Sequence, residues 1–363
     1  MNYFLLFLLL LNISYSQKDK VLELKKQIER TNIKNIKNYP LIALGYITPW
    51  NKEGYDYVEK YTKKFNIISP TWFDLKPEEI DGELQIILDG SNNIDSSYVK
   101  KLKNINPNIL ILPRLYVSFT DDYIFKLWFT KELVQFTKIL ERRLKYNKFD
   151  GFVFDCMAIW YKEELIDIFI KKFLPVMKNL MKKYNKKFIK TMIPKNENVN
   201  NILTKEKFKE IANNVDYINI MTYDYHQYSK NKNKIQIGPI SWIKETVDLY
   251  VDKNDKNKDQ LLQKILFGLP FHGLFYDKNN NVKSGIINCK EFIENLEKQK
   301  EEYKIIFDEN EYEYYLKSDD DKVIDYPLIP FIEKRLELSR ELKLGGCGIW
   351  DIGNGKEGLL DPL

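Results

Sequence analysis

The residues of this chain that could do chemistry fall at the ends of short apolar runs. Asp155 closes Phe149-Asp150-Gly151-Phe152-Val153-Phe154-Asp155, Tyr223 and Asp224 follow Ile220-Met221-Thr222, and Arg114 sits within Leu112-Pro113-Arg114-Leu115. Tyr46, Trp72 and Trp350 end three further runs. Flat aromatic faces pack against the C–H faces of sugar rings, and carboxylates, Arg and Tyr hydroxyls bond a sugar's polar groups. The set therefore reads as a carbohydrate cleft, with Tyr46, Trp72, Arg114, Asp155, Tyr223, Asp224 and Trp350 as the ligand-binding candidates. Each has a structural alternative: Asp155 as a carboxylate satisfied inside the protein, Tyr223 and Asp224 as a buried pair, the tryptophans as packing. Arg114 has two candidate partners among the strand-end carboxylates, Asp155 and Asp224. His226 reads as a loop residue, and His272 either lines the cleft or packs.

Such residues need elements to bring them together. Strands are expected at Leu41–Ile47, Asn66–Trp72, Ile109–Leu115, Phe149–Asp155, Phe188–Ile193, Tyr217–Met221, Ile265–Leu269 and Gly348–Trp350, with amphipathic helical stretches between them. Strands apolar on both faces and separated by helices require a parallel sheet. Eight such units fit a (β/α)8 barrel of α/β class, although a doubly wound sheet has the same order. Barrel sites sit at the C-terminal strand ends, where the candidates above lie. Two connections are long: Asp74 to Asn108, with strand-like Leu84–Leu88, and His272 to Pro330, with strand-like Lys304–Phe307 and Tyr312–Leu316. The second predicts a small inserted subdomain, about 272–330, between strands seven and eight of a single domain, 40–363.

Composition narrows the class. The chain has 363 residues, 44% hydrophobic and 14% aromatic, enough to close a large core. A net charge of +5 spread over many surfaces does not argue for nucleic acid. Two histidines and three scattered cysteines, Cys156, Cys289 and Cys347, make neither a metal-ligand pattern nor a full set of disulfides, and no cofactor is expected. Residues 1–16 read as a secretory signal peptide with an apolar run from Tyr3 to Leu11, followed by a flexible leader, 17–39. The expected location is outside the cell or in a secretory or lysosome-like lumen, with no integral membrane segment after cleavage.

The fourth-strand run resembles the signature of family 18 glycoside hydrolases, Asp-Gly-x-Asp-x-Asp-x-Glu. Asp150, Gly151 and Asp155 match it, Val153 replaces the first inner Asp, and Met157 stands at the place of the catalytic Glu. Ile220-Met221-Thr222-Tyr223-Asp224 resembles the sixth-strand Met-x-Tyr-Asp motif, and Gly348-Ile349-Trp350 the eighth strand with its Trp beneath a sugar. Leu44-Gly45-Tyr46-Ile47-Thr48-Pro49-Trp50-Asn51, Leu112 to Leu115 and Trp350-Asp351-Ile352-Gly353 are more narrowly similar to a chitinase-like branch, that of the chitinase domain-containing proteins. The resemblance implies substrate-assisted chemistry in which a Glu protonates the glycosidic oxygen and an inner Asp holds the sugar's acetamide. A thioether at 157 has no proton to donate. Three readings follow: a chitinase-like lectin for N-acetylglucosamine-type oligosaccharides with no catalytic residue left, a glycosidase with a substitute acid, and a protein-interaction scaffold with a vestigial site.

Overall fold

The computed structural model describes residues 19, 22–199, 201–229, 236–277, 283–298, 303–318 and 321–363, so the proposed signal peptide lies outside the described residues. Among them no helix is long and apolar enough to cross a membrane.

One sheet holds eleven strands: β1 (Ile42–Ile47), β2 (Ile67–Pro70), β3 (Phe73–Ile80), β4 (Glu83–Asp89), β5 (Leu110–Ile111), β6 (Arg114–Val117), β7 (Gly151–Asp155), β8 (Lys187–Met192), β9 (Tyr217–Ile220), β10 (Ile265–Pro270) and β16 (Gly346–Trp350). They reduce to eight parallel staves, because β3 and β4 make a hairpin beyond the barrel and β5 and β6 are halves of one stave. The halves part at Leu112-Pro113, since proline has no N–H for the ladder. The barrel closes there: Leu112 N donates to Ile68 O at 2.9 Å, while Asp150 N and Val153 N reach Ile111 O and Pro113 O at 2.9 and 3.1 Å. Each expected strand corresponds to one stave. The 74–108 connection contains the β3–β4 hairpin, of which only the second strand has a legible pattern in the sequence.

Alternation along the staves sorts side chains between two interiors. Leu44, Tyr46, Ile67, Leu112, Val153, Ile189 and Leu266 fill the barrel, with Trp350 packed on them. Their strand neighbours, such as Phe152, Phe154, Phe188, Ile218, Phe267 and Ile349, face the helices in the larger core. That outer layer includes α1 (Glu53–Lys60), α2 (Ser96–Ile105), α3 (Leu133–Tyr146), α4 (Leu174–Tyr184), α5 (Lys205–Ala212) and α6 (Ile240–Tyr250). Gly348 is required inside, because a Cβ there would stand 1.9 Å from Asn219 Oδ1.

Between β10 and β16 lies an antiparallel five-stranded sheet, ordered β12-β11-β15-β14-β13. Its strands are β11 (Gly273–Asp277), β12 (Lys283–Ile287), β13 (Tyr303–Asp308), β14 (Glu313–Ser318) and β15 (Lys322–Asp325), with α7 (Cys289–Lys298) between β12 and β13. The chain then returns through α8 (Ile329–Glu341) to the last stave. All three cysteines are buried and free.

The leader departs from expectation. Residues 22–28 are helical, with Leu24 and Ile28 buried. Their turn lies against Gly358, where a Cβ would come within 2.4 Å of Gln27 O. Lys25 pairs with Glu297, Arg30 bonds Asp361 at 2.7 Å, and the Tyr39 N–H donates to Leu363 O at 2.9 Å. Leu24 and Ile28 are spaced by one helical turn, a signal easily lost among Lys and Asn. Replacing Ile28 by Ala should cost about 2–5 kcal/mol in urea denaturation. A leader undocked in solution would leave the midpoint unchanged.

Candidate functional site

The inward positions at the C-terminal ends of the staves converge on Asp155. It is 3% exposed. Its Oδ2 accepts from Arg114 Nε at 2.7 Å and from Arg114 Nη2, and its Oδ1 accepts from Thr191 Oγ1 at 2.7 Å. Burial by itself would push the carboxyl pKa up. The charges of Arg114 and Lys190 and the Thr191 hydroxyl outweigh it and hold Asp155 below the usual carboxylate range. Of the two partners open to Arg114, the fold selects Asp155, because β6 and β7 are adjacent with Tyr116 level with Asp155.

Arg114 also organises the aromatics. Its guanidinium lies 4.5 Å from the Tyr116 ring centre and 5.0 Å from that of Trp350. The Tyr46 ring meets Trp350 edge-on at 5.4 Å, and its hydroxyl donates to Asn219 Oδ1 at 3.2 Å. On the opposite wall Asp224 takes a left-handed backbone, φ 59°, and its Oδ1 is 2.8 Å from His272 Nε2. Burial pulls the His272 pKa down, but the Asp224 contact prevails and leaves it raised. The Tyr223 ring stands edge-on to His272 at 5.8 Å, and Tyr223 is near enough to Tyr46, Asp155 and Arg114 to feel them electrostatically. Glycine at 268 makes room, since a Cβ would lie 2.8 Å from Tyr223 Cε1.

Six of the seven expected residues thus meet at the barrel mouth. Trp72 does not, and this corrects the expectation. It follows β2 on the helix side, 1% exposed, with its ring 6.0 Å from Phe149 and its Nε1 donating to Tyr55 O–H at 2.8 Å. The last residue of an apolar run faces either interior depending on where the strand bends, and the bend into β3 turns Trp72 outward. Met157 starts the short turn Ala158–Tyr161 and packs partly buried on the core, while Val153 lies in the barrel's apolar filling.

Thr191, Asn219 and Lys190 escaped the sequence reading. The first two are polar inward positions one alternation past apolar ones. Lys190 faces the other way, fully buried, with Nζ 4.6 Å from the Trp160 ring centre and bonded to Thr191 O at 2.8 Å. Burial lowers its pKa to about 8. A lone lysine at an outward position of Phe188-Ile189-Lys190-Thr191-Met192 was the available signal. Among the described residues no group of three His, Cys, Asp or Glu side chains could hold a metal ion.

Residues 43–355 match the family model described as glycosyl hydrolases family 18. The chain belongs to that family. Its fold is similar to a chitinase from Chromobacterium violaceum, at 14% identity and TM-score 0.72 over 89% of this chain and 97% of that one. A chitinase from Cycas revoluta in complex with (GlcNAc)3 shares 15% identity over 88% and 97%, TM-score 0.70. Human YKL-39, described as a pseudo-chitinase with retained chitooligosaccharide binding properties, shares 14% over 89% and 98%, TM-score 0.72.

Removing Arg114 would leave Asp155 buried and unpaired. Arg114→Met should therefore destabilise the protein by about 3–5 kcal/mol at neutral pH. Because the Asp155 pKa is depressed, the stability it contributes is present above its ordinary value of 3.8 and is lost as pH falls through the lower folded value. The deficit of the variant, measured by urea denaturation, should shrink in strong acid.

Proposed function

We propose that this family 18 protein is a chitinase-like lectin of the secretory pathway or a lysosome-like lumen. It binds N-acetylglucosamine-type oligosaccharides through Tyr46, Arg114, Asp155, Tyr223, Asp224 and Trp350 and does not hydrolyse them efficiently. The narrower kinship with the chitinase domain-containing protein 1 branch belongs to the same proposal.

The observation that carries it is the clamp on Asp155. A carboxylate held ionised by Arg114 has no proton to give, which argues against Asp155 as a substitute acid. Asp224, the other carboxylate considered for that role, is engaged with His272. Met157 stands where the family signature has its proton donor and offers a thioether. Loss of general acid catalysis costs about 10²–10⁴-fold in rate. Binding has better support. Asp155 retains one of its roughly four lone-pair directions for a ligand N–H, and Tyr223, Tyr46 and Trp350 supply the amphipathic wall. The (GlcNAc)3-bound plant chitinase and the chitooligosaccharide-binding pseudo-chitinase share the fold.

One observation favours the scaffold reading instead: Arg114 lies over the Trp350 ring, where a sugar would otherwise stack. Calorimetry with (GlcNAc)3 and (GlcNAc)4, run beside a fluorogenic N-acetylglucosaminide assay, separates the readings. Binding without turnover is expected, with Tyr223→Phe weakening it about fivefold through one lost hydrogen bond of about 1 kcal/mol. Turnover by the unaltered chain would sink the lectin reading. Absence of binding to folded protein would favour the scaffold.

A further inference from the structure

Away from the barrel mouth, three ionisable side chains meet where the inserted sheet joins the barrel. Glu313 on β14 and Asp325 on β15 are 0% exposed, and Arg335 on α8 is 1% exposed. Arg335 Nη2 donates to Glu313 Oε1 at 3.1 Å, to Gly238 O at 2.7 Å and to Glu311 O at 3.0 Å. Its Nε also reaches Gly238 O, at 3.0 Å, and its Nη1 reaches Phe331 O at 3.1 Å. Glu313 accepts further from Gly238 N at 3.1 Å and from the Tyr315 hydroxyl at 2.7 Å. Asp325 Oδ2 accepts from Ile237 N at 3.1 Å.

The odd atom is Asp325 Oδ1, which is buried with no N–H or O–H donor among the described residues, although the strand register sets Asp325 opposite Tyr315 and so on the same face of the sheet as Glu313, whose carboxyl acts on it. Two carboxyl groups can bond only if one of them holds a proton. Two ionised acids beside one guanidinium in a dry site would leave a net negative charge, which a low dielectric penalises heavily. Among the described residues, Tyr315 and Glu311 also act on the cluster, and the Glu311 carboxylate is already bonded to Ser241 N at 3.0 Å and Ser241 Oγ at 2.6 Å.

We propose that Glu313 and Asp325 share one proton against Arg335, forming an acid-stabilised latch that fastens the inserted sheet and residues 236–238 to α8. Burial pushes the Glu313 pKa up to about 7, against the opposing pull of Arg335, and raises Asp325 as well. The latch is connected to the mouth. Tyr225 N donates to Ile237 O at 3.0 Å, and a Cβ on Gly238 would lie 2.8 Å from Thr222 O, so the clamped segment braces the turn that carries Tyr223 and Asp224. Losing the proton loosens that brace.

The sign follows from the raised pKa. The stability drawn from the pair is fully present below the ordinary carboxyl values, 4.5 for Glu313 and 3.8 for Asp325, and is lost as pH rises through the raised values of the pair, beginning at about 7. One extra bound proton makes the unfolding constant climb about tenfold per pH unit across that window. Urea denaturation of the full chain between about pH 5 and pH 8, compared with Asp325→Asn and Glu313→Gln, reads this directly. Asp325→Asn puts a permanent N–H donor beside Glu313, so its pH slope should be flatter than that of the unaltered protein, and it should be the more stable of the two at the alkaline end. Equal slopes would overturn the proposal. Should the variants fail to fold, carbon-13 NMR of Asp and Glu carboxyls in the unaltered protein decides: a protonated resonance from this pair near pH 6 supports the latch, and two ionised resonances overturn it.

Discussion

A pleated strand sends successive side chains to opposite faces, and in a closed parallel barrel both faces are interiors. The rest of this molecule depends on that constraint. It lets Phe152 and Phe154 feed the helix layer while Val153 and Asp155, between and beyond them, face the barrel axis. It turns Thr191 toward Asp155 and sends Lys190, its neighbour, into a cage of aromatic rings on the other side. Closure also needs every stave to be paired on both edges. The Leu112-Pro113 break is tolerated because neighbouring N–H groups on both sides bond across it.

Three of the charge groupings among the described residues strike different balances. Around Asp155 a full guanidinium opposes a single carboxylate, so the acid is ionised and the pair is neutral. Asp224 and His272 make a second pair on the facing wall. At the seam of the inserted sheet, two carboxyl groups oppose one guanidinium, and the count comes out even only with a proton. Isolated buried ions cost several kcal/mol each, so such groupings persist only where hydrogen bonds and countercharge complete them. The first pairing bears on reactivity: a clamped, ionised Asp155 is suited to accepting a hydrogen bond and unsuited to donating one.

Much of this is legible in the amino-acid sequence. Eight apolar runs separated by helical patterns imply a parallel α/β sheet, because burial on both faces is a compositional property of each strand, and they leave a barrel and a doubly wound sheet both open. The ordered fourth-, sixth- and eighth-strand motifs are enough to suggest the family, and the strand-end rule brings Tyr46, Arg114, Asp155, Tyr223, Asp224 and Trp350 to one mouth. Trp72 shows the limit of that rule, since a bend of one residue at a strand end exchanges one interior for the other. Leu24 and Ile28 show a second limit: two apolar residues in a charged segment are buried in a turn whose backbone lies against Gly358, more than three hundred residues away in the chain.

By itself, then, the sequence determined the stave count, the polarity of each stave and the residue types at the mouth, all of which follow from local pattern and pleat. Which charge answers which was decided only by the tertiary structure. Arg114 had two candidate carboxylates and took Asp155 because β6 lies beside β7. His272 took Asp224, and Glu313, Asp325 and Arg335 met although nothing in their spacing links them. Electrostatic pairing acts over a few ångströms of space rather than along the chain, so it is settled only once packing has brought the partners together.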